Sequence, residues 1–143
     1  MSETQEFELH PTLERDTTFI VDLPLCRVLL MEDARFPWLI LVPRQHGLRE
    51  FHDVTGDDAM QLHNEIALTS QSLLDLTGAF KINVAALGNM VPQLHVHVIA
   101  RNQDDEAWPG PVWQSGHARP YTQKVREGRA ELLQEAIAEA LAE

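Results

Sequence analysis

The chain has few of the residues that would place it in several broad classes. Its 143 residues include one cysteine, Cys26, which excludes an internal disulfide. Cys26 sits in the apolar run 25–31 and reads as a buried strand residue, not a catalytic thiol. Basic residues are scarce: 11 Lys and Arg against 22 Asp and Glu leave a net charge of −11. Net charge therefore argues against nucleic acid and anionic membranes, which demand a broad basic footprint, as main partners, but not against a single nucleotide, recognised locally. No apolar run approaches the ~18 residues of a membrane span, and there is no internal repeat or low-complexity segment. The start, Met1-Ser2-Glu3-Thr4-Gln5-Glu6, is polar and acidic and lacks the apolar stretch of a secretory leader. A cytoplasmic protein is expected.

What is present is ordinary globular composition, 44% apolar and 23% charged, at a length that supports one domain with a sizeable core. Short strands are expected at 19–21, 25–31 and 38–42, the last two joined by a hairpin connection at 32–37. Thr55 is a plausible N-cap, with Asp57 and Asp58 in the first turn. The helix it opens should run to about Leu76, with Ala59, Leu62, Ile66, Ser70, Leu73 and Thr77 on one face and Gly78 as its stop. Strands near 79–86 and 94–101 follow. A last helix, about 120–141, carries Leu132, Leu133, Ala136, Ile137, Ala140 and Leu141 as an amphipathic stripe. The expected class is α+β, a single antiparallel sheet of about five strands with a central and a C-terminal helix.

The most informative run is Gln93-Leu94-His95-Val96-His97-Val98. Successive strand side chains alternate between faces, so Gln93, His95 and His97 share one face and Leu94, Val96 and Val98 the other. With the apolar side on a core, the polar ladder should face outward. Alternate residues lie ~6.6 Å apart, so two imidazoles can converge on one small anion or metal ion. Three readings follow: a half-buried polar face with structural histidines, a metal site, or an anion site. The metal reading is weak, because His-x-His needs a third ligand and 98–102 offers none before Asp104. No metal or other cofactor is expected. The anion reading gains from Leu87-Gly88-Asn89-Met90-Val91-Pro92, a turn whose Gly88 lets backbone N–H groups approach phosphate oxygens. Asn83, in the alternating stretch Phe80-Lys81-Ile82-Asn83-Val84-Ala85, can join the same surface if the two strands pair.

The run Gln93 to Ile99 resembles the His-φ-His-φ-His-φ-φ signature of the histidine triad (HIT) superfamily, with Gln in place of the first histidine. Leu39-Ile40-Leu41-Val42-Pro43-Arg44-Gln45-His46 is similar to the family's strand ending in Val-Pro and a basic residue. Asn83 and Gly88-Asn89 resemble its phosphate-contacting Asn and its Gly-Gln before the triad, and Trp108-Pro109-Gly110 its late Trp-Pro segment. The similarity spans 19–110. It implies one HIT-like domain over 1–143 and a homodimer. It implies a purine-type nucleotide ligand, and hydrolysis or transfer at the α-phosphate of phosphoramidates, adenylylated compounds or dinucleoside polyphosphates. His95 takes the position of the family's nucleophile, with Gln93 and His97 completing the catalytic set. Asn83, Gly88 and Asn89 take the phosphate-binding positions, and Glu32 or Asp33 that of the residue meeting the ribose. Gln93 can hydrogen-bond but cannot titrate, so slow turnover or a binding-only module is the alternative.

Elsewhere, His46, His52 and His63 are expected to face solvent or cap, His46 being the best placed of them for a role. His10 and His117 fall in loops. Trp108 and Trp113, in the Pro/Gly-rich loop 108–116, are expected to mark an ordered surface or interface patch.

Overall fold

The computed structural model describes residues 6–143; the leader reading of the first residues lies almost wholly outside them. Five strands, β1 (Thr17–Asp22), β2 (Cys26–Met31), β3 (Trp38–Pro43), β4 (Lys81–Ala85) and β5 (Val96–Arg101), form one antiparallel sheet in the order β1-β2-β3-β5-β4. The expected class and strand count hold. Helix α1 (Pro11–Asp16), which the sequence reading did not anticipate, precedes β1; α2 (Gly56–Thr77) joins β3 to β4, and α3 (Gln123–Ala142) ends the chain. Gly78 closes α2 in the left-handed conformation at φ 64°, where a side chain would be strained. No helix among the described residues is long and apolar enough to cross a membrane.

The register fixes the two faces. His97 sits opposite Ile40 on β3 and Ala85 on β4; Ile99 sits opposite Trp38 and Asn83. One face carries Val28, Leu39, Leu41, Val96 and Val98 and packs beneath α2 and α3 through Leu62, Leu73, Leu133 and Ile137. The other carries Leu29, Trp38, Ile40 and Ile99 and is covered by Leu13 of α1, Phe36, Val91 and Val112. The outward polar ladder is thus corrected: every residue of β5 is buried, the histidine face included. The cause is the second cover, supplied by α1 and the loop after β5. Uninterrupted burial along β3 is the matching sign of a strand enclosed on both sides.

The inward face of α2 also differs. Ala59 is exposed, whereas Glu65, Thr69 and Ser72 are buried beside Leu62 and Leu73. Glu65 points inward because its carboxylate has work there: Oε2 accepts the Leu25 N–H at 2.8 Å and Oε1 the Cys26 N–H at 2.7 Å. Those donors lie in the β1–β2 connection and at the start of β2. Gln61 adds a third bond at 2.7 Å. In α3, Ala130, Leu133 and Ile137 are buried while Leu132 and Leu141 are exposed, so the inward stripe is narrower than expected.

Candidate active site

His95 stands just before β5, and His97 is its second residue. The backbone is pinned there by Leu94 N–H donating to the Leu48 carbonyl at 2.9 Å. His95 Nδ1 lies 2.7 Å from the Gln93 carbonyl oxygen. A carbonyl only accepts, so Nδ1 carries the hydrogen and Nε2 keeps its lone pair. His97 is set the opposite way. Its Nδ1 accepts the Trp38 indole N–H at 3.0 Å, which leaves the hydrogen on Nε2. The two rings meet edge to face at 4.9 Å. Burial, and secondarily the neighbouring His95, push the pKa of His97 down to about 3, so it is neutral at physiological pH. His95 is 7% exposed and His97 5%. Trp113, in the short 3-10 turn Val112–Gln114, packs at 4.8 Å from His97 and 5.6 Å from Trp38.

His95 and Gln93 both precede β5, which begins at Val96, so of the three positions expected on one strand face only His97 lies in the strand, and farthest outside it is Gln93. Its amide is a clip for the segment leading into α1. Oε1 accepts the His10 N–H and Nε2 donates to the Glu8 carbonyl, both at 2.9 Å. His10 in turn caps α1, its Nδ1 accepting the Thr12 N–H at 3.1 Å.

Asn83 lies on the His97 side of the sheet, through its pairing with Ile99. Its Oδ1 accepts from Arg101 Nη1 at 2.8 Å, and the buried Arg101 also holds Asp105 and the Gly110 carbonyl. Arg101 so orients Asn83 that its amide NH₂ is left for another acceptor. Gly88, at φ 71°, lines a cavity of about 60 Å³ together with His95, Leu87, Arg49, Glu50 and Phe51. Asn89 is exposed in the same turn. A second pocket, about 550 Å³, shares Arg49 and is bordered by Glu8, His10, His46, Pro92 and Gln93.

Glu32 and Asp33, the residues expected to meet a ribose, are engaged in ion pairs and backbone hydrogen bonds. Glu32 pairs with Arg126 and accepts the Tyr121 N–H, and the Arg126 guanidinium holds its carboxyl below the usual range. Asp33 is 1% exposed. Burial alone would raise its pKa, but the Arg35 guanidinium and the backbone N–H groups of Arg35 and Arg119 lower it further. Both carboxylates tie the segment before α3 to the β2–β3 connection. Cys26 is fully buried and burial pushes its thiol up, as a structural residue requires. Among the described residues no group of three His, Cys, Asp or Glu side chains is placed to hold a metal. Sequence reasoning missed Trp38, whose indole sets the His97 tautomer, and Arg49, whose adjacency to His95 depends on the Leu48–Leu94 bond.

The model of the HIT domain matches residues 12–104. Three solved histidine triad proteins are similar over nearly their whole length. The one from Sinorhizobium meliloti is 46% identical, with a TM-score of 0.88, covering 91% of this chain and 96% of its own. That from Marinobacter aquaeolei is 43% identical at a TM-score of 0.91, covering 95% and 99%. That from Bradyrhizobium japonicum is 42% identical at 0.90, covering 93% and 99%. No curated protein is similar enough to match.

Proposed function

The chain belongs to the HIT domain family, and from that premise we propose that it binds a purine-type nucleotide and transfers the nucleotidyl group to His95. His95 Nε2 attacks the α-phosphorus of a phosphoramidate, adenylylated compound or dinucleoside polyphosphate. The bond to the leaving group breaks as the P–N bond forms, and water then releases the nucleoside monophosphate. The observation that carries this reading is the complementary pair of tautomers. The Gln93 carbonyl holds the hydrogen of His95 on Nδ1 and frees Nε2 as a nucleophile, while the Trp38 indole leaves Nε2–H of His97 as a donor. A neutral imidazole needs no separate base. His97 Nε2–H, the Asn83 amide and the backbone around Gly88 and Asn89 stabilise charge on the phosphoryl oxygens in a largely dry site.

A binding-only module is the second reading, and Gln93, which can hydrogen-bond but cannot titrate, favours it. The deciding experiment offers the protein the three substrate types and looks for nucleotide covalently attached, by intact mass after quenching at neutral pH, where the P–N bond survives. An adduct and turnover in the wild type, both lost in His95→Ala, support the enzyme. Nucleotide binding with neither leaves the binding module.

We further propose a homodimer. β4 is an edge strand of the sheet, and beside its open edge Phe80, Val84 and Leu87 are exposed, an apolar strip suited to continuing the sheet across a two-fold.

A further inference from the structure

Resting on the catalytic reading above, we propose that Arg49 is a specificity-determining residue that holds an anionic leaving group. The natural substrates would then join the nucleotide to a phosphate or polyphosphate, not to a neutral amine.

Arg49, an exposed residue, lines both the cavity at His95 and the larger pocket next to it, and so stands at the junction of the two. Its backbone is fixed on both sides. Leu48 carbonyl accepts from Leu94 N–H, and the Asp53 carboxylate accepts the Arg49 N–H at 3.1 Å and the Glu50 N–H at 2.9 Å. The guanidinium, by contrast, makes no hydrogen bond or ion pair among the described residues. Of nine arginines in the sequence, the other eight each place a guanidinium nitrogen on an acceptor among the described residues, and Arg49 does not. Glu50 shares the smaller cavity, and Glu6 and Glu8 the larger, yet no ion pair of Arg49 is found among the described residues; its charge is felt by the Asp53 carboxylate, which also accepts its backbone N–H. A fixed backbone carrying a free, forked cation suits a phosphate oxygen pair. In a chain of net charge −11, such a local cation must also offset the repulsion of an anionic ligand.

The chemistry of Gln93 points the same way. An amine leaving a phosphoramidate must gain a proton, and Gln93 has none to give. Its amide is also occupied by Glu8 and His10. A phosphate can leave without a proton, because its departing oxygen is stable as an oxyanion near neutral pH. The electron pair of the breaking P–O bond stays on the departing oxygen, and what that oxygen needs is positive charge. Arg49 supplies charge where no acid supplies a proton. His95 retains its Nδ1 hydrogen on the Gln93 carbonyl throughout. Water then attacks phosphorus, its two protons are shared between the monophosphate and solvent, and the imidazole returns neutral.

The experiment compares diadenosine triphosphate with adenosine 5′-phosphoramidate on the wild type, Arg49→Ala and Arg49→Lys. In parallel, ADP and AMP are titrated into each protein. One charge-assisted bond corresponds to roughly 10–100-fold. Arg49→Ala should lower kcat/KM for the triphosphate ~10–100-fold more than for the phosphoramidate, and Arg49→Lys should fall between. ADP should bind wild type more tightly than AMP, and Arg49→Ala should erase that preference. Equal effects on both substrates, or on neither, overturn the assignment while leaving the catalytic reading intact. If no substrate turns over, the catalytic reading fails, and the ADP and AMP titrations alone then uphold or overturn Arg49 as an anion anchor.

Discussion

His97 makes stability depend on pH in a window that few other groups share. Its pKa is about 3 in the folded protein and ~6.5 in the unfolded chain, because burial and the adjacent His95 disfavour the cation. Below pH ~6.5 the unfolded chain takes up a proton that the native protein refuses, so stability must fall as the pH drops toward 3. Above ~6.5 the contribution is fully present. Each pH unit inside the window is worth up to ~1.4 kcal/mol, so the decline from pH 6.5 to 4.5 should be ~2–3 kcal/mol from this residue. The paired carboxylates Asp33, Glu32 and Asp105, whose pKa values are lowered, act in the same direction but only below pH ~4.5, where the unfolded carboxyls begin to protonate. Urea unfolding at pH 7.5, 6.5, 5.5 and 4.5 should reveal the slope. His97→Asn keeps an oxygen near Nδ1 for the Trp38 indole and cannot titrate. It should flatten the profile by most of that amount, even if less stable at neutral pH. If His97→Asn falls as steeply as wild type, the buried neutral imidazole is not the cause and the reasoning fails.

Three further outcomes are expected. Glu65→Ala strands the Leu25 and Cys26 N–H groups in the core and should cost ~2–5 kcal/mol in chemical denaturation; a loss under ~1 kcal/mol would mean water replaces the carboxylate. Gln93→His, although it restores a triad histidine, cannot both accept from His10 and donate to Glu8 in the same geometry. It should lose ~1–2 kcal/mol and speed hydrogen exchange of the His10 amide, so an unchanged exchange rate would dismiss the clip. Val84→Lys, on the open edge strand, should convert a ~32 kDa sedimenting species to 16.2 kDa; a wild type that is already 16.2 kDa at micromolar concentration removes the homodimer.

The parts of this molecule that were legible in the sequence are those governed by local periodicity. The apolar runs of β2 and β3, the alternation through Val96 and Val98, and Gly78 after α2 state their own structure. His95 and His97 were legible as a pair because both bear imidazole and lie two residues apart. Pairings across long separations were not. Glu32 finds Arg126, and Asp33 finds Arg119, across spans that no local pattern marks. The alternation was extended to Gln93, three residues before β5 begins, because strand starts carry no mark in an apolar-polar pattern. The enclosure of the histidine face was hidden for a related reason: its cover comes from a six-residue helix and an irregular loop, whose packing residues, Leu13 and Val112, stand isolated in sequence. On α2, Glu65 broke the expected apolar face because its partners are backbone groups, which leave no trace in composition.

The Gln93 clip also sets an order of events. It joins residues 83 and 85 positions apart, and it tethers the earliest part of the described chain to the approach to the histidines. During synthesis, the segment around Glu8 and His10 leaves the ribosome long before the residue that fastens it. At ~5–20 residues per second, it waits several seconds or more with Leu9 and Leu13 uncovered. Closing so long a loop is a late, entropically costly contact, so the pocket wall it forms should be among the last features assembled. A nascent chain halted before Gln93 would therefore carry a loose N-terminal segment, a stage open to chaperones or proteases.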